Sequence, residues 1–262
     1  MTKTILITGS TDGIGKLTAT KLAAGGHHVL LHGRTATKVE ATAAEIGGSV
    51  STFAADLSDM AAVAALADEI LTKHDRLDVV INNAGVLKAP NTVLDDGHDL
   101  RFVVNTFAPY LLTQKLLPII PQTGRVVNLS SAAQARIDLK AVRGEKRLSD
   151  MDAYAQSKLG ITIWTRALAQ SHPDGPVFVA VNPGSLLASK MVKEGFGVAG
   201  NDLNVGADIL IDAALGDRFR AVSGKYFDND SGAFADPHQA AMDDQHVSDV
   251  MDVITEFVGQ TG

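Results

Sequence analysis

The chain alternates short runs of β-branched and aliphatic residues with longer alanine-rich stretches, and this alternation constrains its fold most strongly. Strand-like runs separated by helical stretches indicate parallel βαβ units. The run Val79-Val80-Ile81 is apolar at successive positions, as expected of a strand that helices cover on both faces. The sequence therefore predicts an α/β fold with a doubly wound parallel sheet of about seven strands. The predicted strands are Lys3–Thr8, His28–His32, Val50–Ala54, Leu77–Ile81, Arg125–Leu129, Val177–Val181 and Lys225–Phe227.

Length and composition favour one domain over residues 1–262. The chain has 262 residues, 45% of them hydrophobic, which is enough for a substantial core. It shows no linker-like tract and no repeat of fixed period. The net charge of −7 argues against a nucleic-acid or anionic-membrane partner, because either would normally require a basic face.

The same composition excludes several kinds of chemistry. The absence of cysteine excludes disulfides and thiolate nucleophiles, and the eight histidines lack metal-ligand spacing, so we expect no metal. The apolar runs are far shorter than the roughly 18 residues that span a bilayer. The first residues read as a strand rather than a signal peptide. We therefore expect a cytoplasmic protein with no membrane partner.

A glycine-rich turn follows the first predicted strand, where Gly9, Gly13 and Gly15 occur before a helical stretch. The missing side chains let the backbone turn tightly and approach a pyrophosphate at a helix N-terminus. Leu17 follows Lys16 where a P-loop would have Ser or Thr, which disfavours an NTPase. An ordinary glycine-rich turn is the alternative interpretation.

Arg34 follows the second predicted strand, a position where the residue type determines the cofactor preference of dinucleotide-binding folds. A carboxylate at this place bonds the ribose 2′-hydroxyl of NAD(H), whereas arginine accommodates the 2′-phosphate of NADP(H). Here the strand end reads His32-Gly33-Arg34, without a carboxylate. The pattern favours NADP(H) over NAD(H), the alternative being a solvated arginine that opens the next helix.

Tyr154 and Lys158 are four residues apart in a predicted helix that begins near Asp152, so they share one face. A phenol is a poor acid or base at neutral pH, and a nearby ammonium stabilises its phenolate. At about 4 Å and an effective dielectric constant near 20, the attraction is roughly 4 kcal/mol. The pair therefore predicts a tyrosine with a lowered pKa that transfers protons, the alternative being an amphipathic core-edge residue.

Five features, in this order and over most of the chain, resemble the short-chain dehydrogenase/reductase family. They are Thr8-Gly-Ser-Thr-Asp-Gly-Ile-Gly15, Asn82-Asn-Ala-Gly85, Ser131, Tyr154-x3-Lys158 and Asn182-Pro-Gly184. The long segment between Ser130 and Tyr154 is similar to that of the retinol-dehydrogenase-like branch. The resemblance implies a Rossmann-type fold and a nicotinamide cofactor.

The resemblance also assigns roles to individual residues. It implies that Tyr154 is the general acid/base, and that Lys158 lowers its pKa and holds the nicotinamide ribose. Ser131, rather than Ser130, would orient the substrate oxygen. Asn105 would position a water in a proton relay, the alternative being a buried amide bonded to the backbone. The implied cofactor contacts are Gly9, Ser10, Thr11, Asp12, Gly13, Ile14, Gly15, Arg34, Asp56, Leu57, Asn83, Ala84, Gly85, Tyr154, Lys158, Pro183, Gly184 and Ser189.

Three positions qualify this assignment. Asp56 would contact adenine, but a strand-ending cap is the alternative. Asp12 stands where some NADP-dependent relatives are basic, and Ser189 is one residue late for the usual hydroxyl after Pro-Gly. The resemblance thus implies an NADP(H)-dependent enzyme that transfers a hydride to or from a small carbonyl or alcohol.

The sequence leaves other functions open. A non-catalytic nucleotide sensor and an epimerase could use the same scaffold. Substrate choice would reside in two loops, Ala132–Met151 and Ser185–Leu203. The second has glycines that would let it order over bound cofactor and an apolar face that would suit a hydrophobic substrate. The sequence is compatible with a homo-oligomer.

Overall fold

The computed structural model describes residues 1–185, 187 and 200–261. Within them, eight strands form one sheet. The strands are β1 (Thr4–Ile7), β2 (His28–Gly33), β3 (Val50–Ala54), β4 (Val79–Asn82), β5 (Arg125–Leu129), β6 (Val177–Asn182), β7 (Tyr226–Asp228) and β8 (Ala233–Ala235). Their order across the sheet is β3-β2-β1-β4-β5-β6-β7-β8. Strands β1 to β7 pair in parallel, and β8 pairs antiparallel with β7.

The strand order reverses at β1, which has β2 on one side and β4 on the other. In a parallel sheet, such a reversal opens a crevice beyond the carboxyl ends of the neighbouring strands. The candidate site residues follow these strand ends, so the topology gathers them at one edge.

Helices connect the strands. Those described are α1 (Gly13–Ala24), α2 (Ala36–Ile46), α3 (Met60–Lys73), α4 (Leu100–Phe102), α5 (Ala108–Leu116), α6 (Leu139–Val142), α7 (Asp150–Ser171), α8 (Leu203–Leu215) and α9 (Asp244–Thr261). Polar side chains cap several of them: Asp59 accepts main-chain N–H groups at the start of α3, and Ser149 accepts that of Asp152 at the start of α7. Such caps satisfy N–H groups that the helix itself leaves unpaired.

Two hydrophobic cores lie on opposite faces of the sheet. Leu6 belongs to the core beneath α3, α5, α7 and α9, whereas its neighbours Ile5 and Ile7 belong to the core beneath α1 and α8. This division follows from the two-residue alternation of side chains along a strand. The predicted doubly wound sheet with helices on both faces is confirmed.

The seven predicted strands are all present, each with ends within two residues of the prediction. The eighth strand, β8, was not predicted. It has three residues, Ala233-Phe234-Ala235, a run too short to be recognised as a strand from the sequence.

Candidate active site

A tight glycine turn joins β1 to α1. Gly9 and Gly13 have φ angles of 65° and 54°, in the left-handed region that favours glycine. A Cβ on Gly15 would lie 2.5 Å from the carbonyl oxygen of Gly9, so no side chain fits there. The carboxylate of Asp12 accepts the N–H of Gly13 at 2.8 Å and caps α1. The turn thus leads into a helix N-terminus, an arrangement suited to a phosphate group.

The segment after β4 packs directly against this turn. A Cβ on Gly9 would lie 2.9 Å from the Cα of Ala84. Asn83 donates from Nδ2 to the carbonyl oxygens of Thr8 (2.8 Å) and Gly9 (3.1 Å). The hydroxyl of Thr8 accepts the N–H groups of Asn83 and Ala84, each at 3.0 Å. The Asn83 amide therefore holds two turns together, and the partly buried Gly85 follows in the same segment.

A buried histidine that the sequence analysis did not single out supports the glycine turn. His32 is 2% exposed, and its Nδ1 accepts the N–H of Gly9 at 3.2 Å. Its Nε2 lies 3.2 Å from the carbonyl oxygen of Ala55, so Nε2 carries the hydrogen. The main-chain N–H of His32 donates to Ser10 Oγ at 2.9 Å. Burial lowers the pKa of His32 to about 4, which leaves the ring neutral at neutral pH.

Thr11 and Ile14 use their side chains for packing. A Cβ on Gly33 would lie 2.6 Å from the methyl group of Thr11, so this glycine makes room for the turn. Ile14 packs against the core under α8, and a Cβ on Gly206 would lie 3.0 Å from it. A ligand at the turn would therefore meet the main chain of these residues.

Arg34 lies directly after β2 and is exposed. Its guanidinium forms no hydrogen bond or ion pair with the part of the chain that the structure describes. Lys38, in the first turns of α2, lies at the same corner, with Nζ 3.8 Å from a carboxylate oxygen of Asp12. Lys38 was not predicted as a site residue, although the sequence shows it four residues after Arg34. This corner thus carries two cationic side chains, only one of which is ion-paired.

Asp56 and Leu57 follow β3. One carboxylate oxygen of Asp56 accepts the N–H (2.9 Å) and the hydroxyl (2.8 Å) of Ser58. This local cap is the alternative that the sequence analysis weighed for Asp56. Leu57 is 5% exposed, and its side chain belongs to the core.

The structure brings Ser131, Tyr154 and Lys158 together at the carboxyl end of β5. Tyr154 and Lys158 lie one turn apart on α7, and the side chain of Tyr154 lies close enough to that of Ser131 for Ser131 to influence its pKa. Lys158 is buried and donates from Nζ to the carbonyl oxygen of Leu129 at 2.7 Å. Its Nζ lies 5.8 Å from the centre of the Tyr154 ring. A hydroxyl pair and an ammonium group therefore share one small region.

Burial dominates the proton affinities of this group. It raises the pKa of Tyr154, and the neighbouring Ser131 side chain opposes the increase. It lowers the pKa of Lys158 to about 8. The expected lowering of the Tyr154 pKa by Lys158 is therefore not found, because the ammonium is directed at Leu129 and both groups are desolvated.

The two adjacent serines differ in their surroundings. Ser130 is buried, with its hydroxyl 2.7 Å from that of Thr162. Ser131 is partly buried, and its carbonyl oxygen accepts Nε2 of Gln134 at 2.9 Å and the hydroxyl of Tyr226 at 3.1 Å. The carbonyl oxygen of Ser131 is thus held by two side chains, and its hydroxyl accepts the N–H of Ala133 at 3.1 Å. Sequence reasoning missed Gln134 and Tyr226.

Asn105 lies in a π-helical turn, Val103–Phe107, between α4 and α5. Its Oδ1 accepts the N–H of Val86 at 2.8 Å, and its Nδ2 donates to the carbonyl oxygen of Val86 and to Ser157 Oγ, each at 2.9 Å. Both amide hydrogens are therefore used within the protein. This is the arrangement that the alternative interpretation of Asn105 expected.

Pro183 and Gly184 follow β6 at the same edge of the sheet, and Gly184 has a φ of 121°. Ser189 lies outside the described residues, as does most of the predicted loop Ser185–Leu203. The remaining residues predicted to contact cofactor all lie at or beyond the carboxyl ends of β1 to β6.

The family model of the short chain dehydrogenases matches residues 3–196. The chain belongs to this family. It is 34% identical over 244 residues to retinol dehydrogenase 12 from Mus musculus, covering 86% of this chain and 77% of that protein. The predicted resemblance to the retinol-dehydrogenase-like branch is confirmed.

Solved structures agree with this assignment. A crystal structure of an uncharacterized protein from Mycobacterium paratuberculosis matches with a TM-score of 0.83 at 28% identity, over 98% of this chain and 93% of that one. A short chain dehydrogenase from Shigella flexneri, complexed with NADP, matches with a TM-score of 0.69 at 28% identity, over 87% of this chain and 97% of that one. Among the described helices, none is both long and apolar enough to cross a membrane.

Proposed function

We propose that this protein is an NADP(H)-dependent oxidoreductase that transfers a hydride between the nicotinamide and a carbonyl or alcohol substrate with a hydrophobic body. The observation that carries this proposal is the grouping of Ser131 and Tyr154 beside the buried Lys158. This group stands at the same sheet edge as the glycine turn. The retinol dehydrogenase relative supports an apolar alcohol or aldehyde as substrate, and the NADP complex of a structural relative supports the cofactor.

The glycine turn fits a dinucleotide, because the left-handed conformations of Gly9 and Gly13 turn the chain tightly into the N-terminus of α1, where main-chain N–H groups suit a pyrophosphate. We assign the adenosine half to residues after β3 and β4, the pyrophosphate to the turn, and the nicotinamide half to residues near β5 and β6. The residues are Asp56, Leu57, Ala84 and Gly85 for adenosine, Gly9–Gly15 for the pyrophosphate, and Tyr154, Lys158, Pro183 and Gly184 for the nicotinamide ribonucleoside. When bound, the cofactor supplies or accepts the hydride at C4 of its nicotinamide.

Tyr154 would move the proton. In reduction its hydroxyl donates a proton to the substrate oxygen, and in oxidation it takes the proton back. Ser131 would hydrogen-bond the same oxygen and so set its distance from the phenol. The raised pKa of Tyr154 keeps the phenol protonated at neutral pH, which favours the donor role. The ammonium of Lys158 would then stabilise the phenolate that donation leaves behind.

Asn105 would act differently from the role that the family resemblance implies for its side chain. Both amide hydrogens are bonded to Val86 and Ser157, so the amide has none to donate to a water. We therefore assign the side chain to holding the segment after β4 against α7. Any contact with a relay water would come from the main chain of the π-helical turn.

The corner formed by Arg34 and Lys38 supports NADP(H) over NAD(H). Arg34 has an uncommitted guanidinium, whose planar fork matches a phosphate. Among the described residues, Lys38 forms an ion pair with the exposed Asp12 alone, at 3.8 Å, an interaction that solvent weakens. A 2′-phosphate could therefore recruit both cations without breaking a buried contact.

The deciding experiment follows NADPH absorbance while the protein is offered a panel of apolar aldehydes and ketones. Tyr154→Phe should reduce turnover by more than about tenfold, a loss above roughly 1.4 kcal/mol, without weakening NADPH binding. Tyr110→Phe is the matched control, because that hydroxyl bonds only Gln114 within the described residues. NADPH binding without any product would favour a nucleotide sensor, and an isomerised product without net NADPH loss would favour an epimerase.

A further inference from the structure

Asp230 lies in the turn between β7 and β8, and its carboxylate receives three hydrogen bonds from the segment that follows β6. The N–H of Ser185 donates to Oδ1 at 2.8 Å, and the hydroxyl of Ser185 donates to Oδ2 at 2.5 Å. Asn182 donates from Nδ2 to Oδ2 at 2.9 Å. One carboxylate therefore holds both ends of the stretch Asn182–Ser185.

The preceding residue, Asn229, holds the middle of the same stretch. Its Nδ2 donates to the carbonyl oxygen of Pro183 at 2.9 Å and lies 3.4 Å from that of Val205 in α8. Its main-chain N–H donates to the carbonyl oxygen of Asn182 at 3.1 Å. The β7–β8 turn thus joins the stretch to the sheet and to α8.

The backbone within this stretch requires such support. Gly184 has a φ of 121°, a conformation that other residues rarely adopt, and no neighbouring atom would lie closer than 3.6 Å to a Cβ placed there. The backbone conformation rather than crowding therefore favours glycine here. The hydrogen bonds from residues 229 and 230 hold the stretch in that conformation.

The carboxylate suits this task better than an amide would. Three donors converge on its two oxygens, whereas an asparagine would present one oxygen and would turn an N–H₂ group toward the remaining donors. Desolvation opposes the charge, but hydrogen bonds from Ser185 and Asn182 hold the pKa of Asp230 below its usual range. The group is therefore ionised at neutral pH.

We propose that Asp230 is a positioning residue that holds Asn182–Ser185 in the conformation that receives the nicotinamide half of the cofactor. The inference rests on the proposed function, because that function places Pro183 and Gly184 beside the nicotinamide. In this role Asp230 acts through the turn that it holds, rather than by contact with cofactor or substrate.

Two ligands separate this role from a general effect on folding. NADPH fills both halves of the proposed site, whereas adenosine 2′,5′-bisphosphate fills only the adenosine half. Asp230→Asn should lower the affinity for NADPH by about tenfold, equivalent to about 1.4 kcal/mol. The affinity for the bisphosphate should stay within about twofold of the wild-type value. Ser185→Ala, which removes one of the three bonds, should give a smaller loss with the same selectivity. Asp236→Asn is the control, because it makes the same change of charge at an exposed residue beyond β8.

Calorimetric titration of each variant with both ligands gives the answer. Unchanged NADPH affinity in Asp230→Asn would overturn the inference, and so would equal weakening of the two ligands. If Asp230→Asn fails to fold, Ser185→Ala decides by the same criterion. If the unmodified protein binds neither ligand, the proposed function fails and this inference falls with it.

Discussion

The imidazole of His32, at the end of β2, accepts the main-chain N–H of Gly9 in the turn after β1. Its other nitrogen donates to Ala55, after β3. A single neutral side chain thus connects the carboxyl ends of three neighbouring strands beneath the proposed pyrophosphate cradle. Protonation would turn the accepting nitrogen into a donor facing another donor, so this connection depends on pH.

The first prediction concerns acid stability. The folded-state pKa of His32 is about 4, below the ordinary value of 6.5. The folded protein therefore binds fewer protons than the unfolded chain in this window, and its stability should fall as pH drops from 6.5 toward 4. His32→Gln should flatten that part of the pH profile of the free energy of unfolding, as measured by urea denaturation. A His32→Gln profile parallel to that of the wild type would contradict the prediction.

The second prediction concerns cofactor choice. Arg34→Ala should lower the affinity for NADPH by about 10- to 100-fold. This is the loss expected when charge-assisted hydrogen bonds to a phosphate, which contribute about 1.5–3 kcal/mol, are removed. NADH has no 2′-phosphate, so its affinity should not change. Paired fluorescence titrations with the two cofactors measure the difference, and Arg220→Ala is an exposed control. Equal affinity of the unmodified protein for NADPH and NADH would refute the assigned preference.

The third prediction concerns the desolvated ammonium of Lys158, whose pKa of about 8 lies below the ordinary 10.5. Below pH 8 the folded state carries a buried charge, and this penalty disappears as pH rises from 8 to 10.5. The stability of the wild type should therefore increase relative to Lys158→Met over pH 8 to 10. Urea denaturation across this range tests it, with Lys140→Met as an exposed control. A constant difference between wild type and Lys158→Met would show that Lys158 does not titrate there.

The fourth prediction concerns the contact between α7 and the π-helical turn. A Cβ on Gly160 would lie 2.7 Å from the methyl carbon of Thr106. Gly160→Ala should therefore destabilise the protein by about 1–3 kcal/mol, as overpacking does. Thr106→Ser removes that methyl but retains the hydroxyl that donates to Ser157 at 2.9 Å, so it should recover part of the loss. A double-mutant cycle of unfolding free energies measures the coupling, and strict additivity would refute the predicted contact.

Local patterns carried most of the fold prediction. Apolar runs predicted the ends of seven strands to within two residues. The glycine turn and Tyr154-x3-Lys158 could be recognised because each motif is defined by the spacing of residues that are close in sequence. The apolar run of β8 has three residues, which is too short to predict a strand.

The supporting residues could not be found in the same way. Asp230 meets Ser185 from 45 positions away, and Tyr226 meets Ser131 from 95, so no local spacing announces either contact. The pKa of Tyr154 was misjudged for a related reason. The proximity of two side chains on a helix can be inferred from their spacing in the sequence. The desolvation that raises the pKa of Tyr154 depends instead on all the residues that pack around the helix.

Helix α7 carries Tyr154 and Lys158 on one rigid rod, and Gly160 sets how closely that rod approaches its neighbour. The backbone spacing of Tyr154 and Lys158 is therefore fixed, whereas a shift of the whole helix would change the distance of both residues from the glycine turn. Substitutions that adapt the protein to a new substrate should consequently accumulate where α7 packs against its neighbour, as at Gly160, rather than at Tyr154 and Lys158. Tyr154 and Lys158 would then keep their positions relative to each other while the site accommodates substrates of different shape.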